Sequence, residues 1–566
     1  HSALWANTTA SYNTAVGTYA LDANTTGTHN AAIGYQALTN STTSNHNTAL
    51  GQQTLYSNTT GYSNSAGGSA ALWSNTTGSE NTAFGYYALV SATTANNNTA
   101  VGFRALDNAT TGGNNTAVGY QTLDANTTGE QNTAVGSLAL DANTTGNYNV
   151  ALGKGTLSTS TTASDNTAVG FETLKLTTTG AQNTSVGREA LYTNTTASKN
   201  SALGYKALYA NTTGGSNTAV GFESLRVNTT GERNTACGLE ALELNTTGSY
   251  NTALGTFALG DNTTGIRNAA LGYNSLAANT TASANTAVGH DALAATTTGG
   301  YNTTIGYNSM VANTTGVENT AGGWNAINAN TTGSYNTAFG GGALDAATTA
   351  GGNTAIGFKA LTEATTGHSN TAIGTGSLYT ATTGIENTCL GNNAGYELTT
   401  GDNNLLLGDG AGRSASPSGL ITTGDNNVCL GDNSIANLYC ADTSISSSDA
   451  RDKTDVEDFT HGLSWINELR PVTYRWDRRT WYSDDKSVKP DGSKKRDRIH
   501  IGFLAQEAIE VEKKHGYADK KDNMLIVNQD EDVNDPSYGM KYERLVPVLV
   551  NAIKELSAKV AALEAG

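Results

Sequence analysis

Ser448 and Lys453 stand five residues apart in the stretch Ser448-Asp449-Ala450-Arg451-Asp452-Lys453, and they have the makings of a nucleophile and its base. A serine hydroxyl attacks an acyl carbon when a neighbouring group takes its proton. A lysine can take that proton if burial and a nearby cation such as Arg451 lower its pKa. Stereochemistry favours attack of Ser448 Oγ on the carbonyl just before it, through a five-membered ring, so Ser447–Ser448 is the expected scissile bond. A second set of residues could bind rather than react. Aromatic side chains recur at one phase of a repeat, at Tyr35, Tyr86, Phe103, Tyr120, Phe171, Tyr205, Phe222, Tyr273, Tyr307, Trp324 and Phe358. Exposed aromatic columns stack on sugar rings, which makes Tyr307, Trp324 and Phe358 candidate glycan contacts. The alternative is a structural ladder of rings under a loop.

Two regions of different composition must position these groups. The phrase Asn13-Thr14-Ala15-Val16-Gly17 returns as Asn30-Ala31-Ala32-Ile33-Gly34 and is still in step at Asn404-Leu405-Leu406-Leu407-Gly408, always in steps of 17 residues. A fixed short period means stacked units whose apolar faces are buried only by their neighbours. Numbered from its asparagine as zero, the consensus is N-T-A-V-G-x-x-A-L-x-x-N-T-T-G-x-x. Aliphatics at +3 and leucine at +8 are too sparse for an amphipathic helix. The pattern instead predicts one coil of a parallel β-solenoid per repeat, with one strand through Thr-Ala-Val-Gly, a second through Ala-Leu, and a corner at Asn-Thr-Thr-Gly. The +3 and +8 side chains are expected to form two aliphatic columns inside, and the asparagines to form ladders between coils. Alanine at +2 and glycine at +4 either admit a neighbouring chain or simply fit a narrow coil.

Composition excludes several functions. A net charge of -17 argues against nucleic acid or an anionic membrane surface as partner. The longest apolar runs are too short to span a bilayer. Cys237, Cys389, Cys429 and Cys440 lack the clustering of a disulfide framework or a metal site, so no metal and no cofactor are expected, and the first three read as buried fillers of the repeat. Asn-Thr-Thr, as at Asn7, Asn24, Asn58, Asn126 and Asn211, matches the glycosylation pattern but is explained by corner chemistry. Threonine columns raise ice binding, yet these threonines are adjacent rather than alternating. No cluster of carboxylates supports a polysaccharide-cleaving tail spike. Ala3-Leu4 already falls in phase with Ala20-Leu21, so the sequence reads as a processed or truncated chain in which any preceding signal peptide or anchor is not visible.

The repeat phrase resembles the N-S-V-A-I-G phrase in the heads of trimeric autotransporter adhesins. That resemblance implies a trimeric β-roll.

From Ser448 onward the composition is ordinary: this last fifth holds 20 of the 31 Lys and Arg residues. Helical spacing of Leu463, Ile466 and Leu469 ends before Pro471. Val472, Tyr474 and Trp476 alternate as a strand, Ile499–Phe503 reads as another, and a helix follows from Ala505 to about His515. Val546, Leu549, Ile553, Leu556, Val560 and Leu563 form a heptad seam that one helix cannot bury, which implies a parallel coiled coil. The phrases Ser448–Lys453, Leu469-Arg470-Pro471-Val472-Thr473-Tyr474-Arg475-Trp476, His500-Ile501-Gly502-Phe503-Leu504-Ala505-Gln506-Glu507 and Tyr542-Glu543-Arg544-Leu545-Val546-Pro547 resemble the intramolecular chaperone of endosialidase family, found at the ends of phage tail fibres and spikes. The resemblance implies trimerisation, assistance to a β-structured stalk, and self-cleavage by Ser448 and Lys453 with Asp449, Arg451 and a supporting His500. Asp452 departs from the aliphatic residue usual there, and a carboxylate beside Lys453 favours its charged form.

The expected architecture is a mainly β chain: a solenoid shaft over 1–434, a linker over 435–447, and a small α+β chaperone domain over 448–566 ending in a coiled-coil helix. The expected function is a homotrimeric extracellular or virion-tail fibre that attaches to a cell-surface glycan or protein receptor. A purely structural spacer is the alternative.

Overall fold

The computed structural model describes residues 2–435, 453–454, 456–479, 482, 488–529 and 538–566. It divides into two compact units, residues 1–411 with 421–430, and residues 412–420 with 431–566.

The first unit is a parallel β-solenoid. Strands of three residues recur every 17 residues from β1 (Thr14–Val16) and β2 (Ala31–Ile33) to β24 (Leu405–Leu407), and β25 (Val428–Leu430) follows after 23. Each strand pairs in parallel with the next, one repeat on: Thr14 lies opposite Ala31, and Val16 opposite Ile33. The 25 strands form one sheet, which at the usual interstrand spacing is on the order of 115 Å long.

Asparagine holds the stack. The zero-position asparagine recurs without a break from Asn13 to Asn427. Asn47 donates its backbone N–H to Asn30 Oδ1 at 3.0 Å and its Nδ2 to Asn30 Oδ1 at 3.3 Å and Gly61 O at 2.9 Å. A second ladder runs through +11, where Asn75 Nδ2 donates to Asn58 Oδ1 at 2.8 Å and Gly78 O at 2.9 Å. Beside it, Thr76 Oγ1 donates to Thr93 O at 3.0 Å. These amides are buried, and a buried amide without partners costs about 1–3 kcal/mol. The ladder geometry also explains the Asn-Thr-Thr corners. Asn24, Asn58, Asn126 and Asn211 are buried with their amides committed, while Asn7, in the first coil, is exposed.

Two expectations about the coil need correction. The Ala-Leu segment is not a second strand, because its leucine adopts a left-handed conformation (φ 51° at Leu21, 52° at Leu38) that ends extended structure. Tyr19 and His29 do the same, so each of these coils carries three non-glycine residues at positive φ, each costing about 1–2 kcal/mol. Bonds to the next coil hold them, as where Leu21 N–H donates to Ala37 O at 3.0 Å.

The second correction concerns the interior. The core is built from alanine at +2, small residues at +7 and leucine at +8, as at Ala66, Ala71 and Leu72. The +3 aliphatics point outward instead: Val16 is 57% exposed and Leu203 51%. Successive strand residues face opposite sides, and a 17-residue coil is too narrow to take the branched side rather than alanine. Cys237, at +3, is therefore exposed, whereas Cys389 and Cys429, at +2, are buried as expected. Burial pushes the Cys389 thiol pKa up. Glycine at +4 serves the chain's own next coil, not a neighbouring chain: at φ 133°, a Cβ on Gly17 would lie 2.4 Å from Gly34 O.

The +11 ladder breaks where the asparagine is replaced, and the break leaves an orphan. Asn279 Oδ1 is buried without a partner because Thr296 stands at the next rung, with Asn313 beyond it. Thr296→Asn joins the two ladders and should raise stability by about 1 kcal/mol in denaturant unfolding. A loss of stability would contradict the ladder account.

Asp107, Asp124 and Asp141 stack at +9 of three successive coils. Burial, and then the Asp124 charge, push Asp141 up to about 6, and its Oδ1 has no hydrogen-bond partner. The folded-state pKa thus exceeds the unfolded value of about 3.9, so the folded state binds the extra proton and gains stability as pH falls from above 6 towards 4. Asp141→Asn is expected to raise the melting temperature at pH 7 but not at pH 4. Equal gains at both pH values would count against burial of the charge.

Candidate functional site

The second unit contains helix α1 (Leu463–Glu468), an antiparallel pair β26 (Val472–Tyr474) and β27 (His500–Gly502), helix α2 (Ala505–Lys514), a second antiparallel pair β28 (Val527–Gln529) and β29 (Tyr538–Met540), and the terminal helix α3 (Leu545–Glu564). These agree with the expected α1, first two strands and α2 to within a few residues.

Three of the four sequence phrases converge here. Tyr474 lies opposite His500 across β26–β27, and their rings stack with centroids 5.6 Å apart. Trp476 packs edge-on to Tyr474 at 5.2 Å, and the Arg478 guanidinium sits 4.4 Å above the Trp476 ring. Burial, and then repulsion from Arg496, hold the Arg478 pKa below its usual value. Gly502 has no room for a side chain, since a Cβ there would lie 3.2 Å from a Tyr474 ring carbon and even closer to Tyr542 Oη. Tyr542 Oη accepts the Phe503 N–H at 3.2 Å, tying the fourth phrase to the third. Arg470 and Glu507 join the second phrase to the third through a two-pronged ion pair, with Nε to Oε2 at 3.0 Å. That pairing holds the Glu507 carboxyl below and the Arg470 guanidinium above their ordinary values.

The proposed self-cleavage residues are only partly placed. Ser447, Ser448, Asp449 and Arg451 lie outside the described residues, as does Asp452. Lys453 is exposed. His500 belongs to the ring stack just described, where it has a packing role.

The seam residues of α3 are clearly placed. Leu545, Val548 and Ala552 face the unit's core. Val546, Leu549, Ile553, Leu556, Val560 and Leu563 are exposed, Ile553 by 65%. The helix is docked by another face: Glu555 Oε2 accepts the Leu463 N–H at 3.2 Å, and Gly462 lies so close that a Cβ would meet Ala552 N at 2.6 Å.

Sequence reasoning missed Glu512. It is fully buried on α2 and accepts three backbone N–H groups, from Leu525 at 2.8 Å, Ile526 at 2.7 Å and Val527 at 2.9 Å. A carboxylate so held sets the start of β28. In the sequence it is one glutamate among the charged residues of an amphipathic helix, and its partners lie 13 to 15 residues away.

In the solenoid, the +5 rings stack along the surface: Tyr86, Phe103 and Tyr120 have centroid separations of 5.6 and 5.4 Å, and all three are exposed rather than covered by a loop. Tyr307 lies 5.4 Å from the His290 ring. Trp324 and Phe358 flank Gly341, where an added Cβ would contact both rings at 3.8 and 3.6 Å. All three candidate glycan contacts are more than half exposed.

Residues 448–517 match the chaperone of endosialidase family, so the chain carries a chaperone of endosialidase domain near its C-terminus, behind a parallel β-solenoid. The match covers the first three phrases and stops before Tyr542. No match was found among curated proteins or solved structures. Among the described residues, no helix is long and apolar enough to cross a membrane.

Removing the buried carboxylate tests this packing. Glu512→Ala leaves three N–H groups unpaired and should cost about 3 kcal/mol, accelerating amide exchange at Leu525–Val527 about a hundredfold. Glu512→Gln, which keeps one acceptor oxygen, should do less. Unchanged exchange in both variants would contradict the assigned role.

Proposed function

We propose that the chain is a homotrimeric extracellular fibre of the phage tail-fibre type, in which the C-terminal domain trimerises and directs folding of the shaft. A chaperone of endosialidase domain following a β-solenoid fits a tail-fibre-like protein. The single observation that carries the trimer is the apolar seam of α3: six residues at 3-4 spacing are exposed among the described residues. The shaft supplies the need. Parallel pairing between distant repeats forms slowly and exposes edges while incomplete. Near-identical coils also pair well when slipped by one repeat, so a seed at one end must set the register.

Attachment rests on the exposed +5 rings, which offer flat apolar faces to a glycan along the shaft surface. Self-cleavage follows from the family's chemistry. Ser448 Oγ would add to the Ser447 carbonyl carbon, the Ser448 amine would leave with a proton supplied through Lys453, and water would hydrolyse the resulting ester.

Sedimentation equilibrium of the full chain carrying Ser448→Ala, which cannot cleave itself, should give three times the 58.2 kDa chain mass, and adding Ile553→Asp with Leu556→Asp should reduce it. A compact monomer would contradict the trimer. Removing 448–566 should yield aggregates rather than soluble rods. Intact mass should show a fragment beginning at Ser448 that Ser448→Ala abolishes; a stable full-length chain would confine the domain to chaperoning. Glycan-array binding should fall with Trp324→Ala and Phe358→Ala, and a shaft that binds no glycan would be a spacer.

A further inference from the structure

The outward +3 column is an apolar stripe running the length of the shaft. Every one of its residues, from Val16 to Leu430, is Val, Ile, Leu, Phe, Cys or Gly. The outer face of a sheet in water is ordinarily polar, and a continuous apolar patch beyond a few hundred Å² marks an interaction site. We propose that this face is the surface along which copies of the chain pack on one another, level by level, in the assembled fibre. The inference rests on the trimeric reading above and adds which face is buried.

Three observations favour a second copy as the occupant. The first is volume compensation. The column contains two phenylalanines, Phe84 and Phe339, and two glycines, Gly67 and Gly322, and each phenylalanine directly follows a glycine one coil earlier. Each ring lies down over its glycine: a Cβ on Gly67 would be 2.6 Å from Phe84 Cδ1, and one on Gly322 2.5 Å from Phe339 Cδ1. A face open to water has no reason to stay level. A face packed at fixed distance against another rod does, because over- and under-filling both cost stability.

The second is area. Roughly 60 Å² of uncovered apolar side chain on each of the 23 strands without a +3 glycine amounts to on the order of 1,400 Å² per chain, against about 800 Å² per partner in a standard stable interface. The third is the C-terminal end of the stripe. Most strands carry Thr or Ser at +1 beside the +3 aliphatic, and Ala31, Val150 and Ala269 are isolated exceptions. The last two coils, Leu405 with Leu407 and Val428 with Leu430, make both outward positions apolar in succession. Those are the coils next in sequence to the chaperone domain, where packing would begin if that domain seeds assembly.

Cys237 is a native probe, since it sits in the stripe and is exposed while Cys389 and Cys429 are buried. Like levels of the copies bring their Cys237 thiols together. The full chain carrying Cys440→Ser, oxidised with copper phenanthroline and run on a non-reducing denaturing gel, should give disulfide-linked pairs at a rate independent of protein concentration. Tyr205→Cys, placed at +5 on a Cys237→Ser, Cys440→Ser background, should give none. Sedimentation of the same samples separates the two claims. A trimer whose Cys237 stays unlinked and reacts freely with maleimide overturns the face assignment and leaves the trimer standing. A monomer removes the trimeric reading itself. Pairs formed through Tyr205→Cys but not Cys237 would move the interface to the aromatic face. An unlinked stripe that depresses the freezing point of ice, with the effect lost in Val220→Asp, would assign the Thr-x-aliphatic face to ice instead.

Discussion

Everything in the shaft depends on polar groups that find their partners one coil away. A three-residue strand and a run of tight turns cannot satisfy their own N–H and C=O groups, and a 17-residue coil buries too little apolar surface to fold alone. The unbroken asparagine column supplies what the backbone lacks, with each amide bonding to the coil before it and to the far side of its own coil. The spacing is therefore rigid: an insertion displaces a whole rung. The one departure, between β24 and β25, places its six additional residues in a loop and keeps the Asn404–Asn427 rung, with Nδ2 to Oδ1 at 2.9 Å.

That constraint explains features that look costly in isolation. Leucine in a left-handed conformation is rare because it is strained, yet it recurs at +8 wherever leucine stands there from Leu21 to Leu378. The strain is repaid by a buried apolar column and by hydrogen bonds on either side. Glycine at +4 follows from the same closeness, since adjacent coils approach until no side chain fits. The interior is filled mainly by alanine and leucine, so the +3 aliphatics are left outside. A shaft of this kind is stable as a stack yet incomplete as a surface, and that incompleteness matches a C-terminal unit whose last helix also leaves an apolar seam uncovered.

Much of this was legible in the sequence, and the misses have physical causes. The period, the parallel solenoid, the Leu column and the asparagine ladders follow from spacing and residue type. The orientation of the +3 residues does not: hydrophobicity favours Val over Ala for the interior, and only the coil's width reverses the choice. The second strand was misjudged because Ala-Leu reads as extended when turn geometry is unknown. In the C-terminal unit, the phrases around Arg470, Gly502 and Tyr542 were legible as motifs, while their mutual contacts appear only in three dimensions. Glu512 gave no local signal, because its function is to bind backbone from a distant segment.

Hydrogen exchange across the whole shaft tests the central claim most directly. If each coil is held by its neighbours, strand amides from β2 to β24 should share one high level of protection, declining only towards the first coils. Strand amides that exchange as fast as the corners, or protection broken into separate blocks along the chain, would contradict a continuous mutually supported stack.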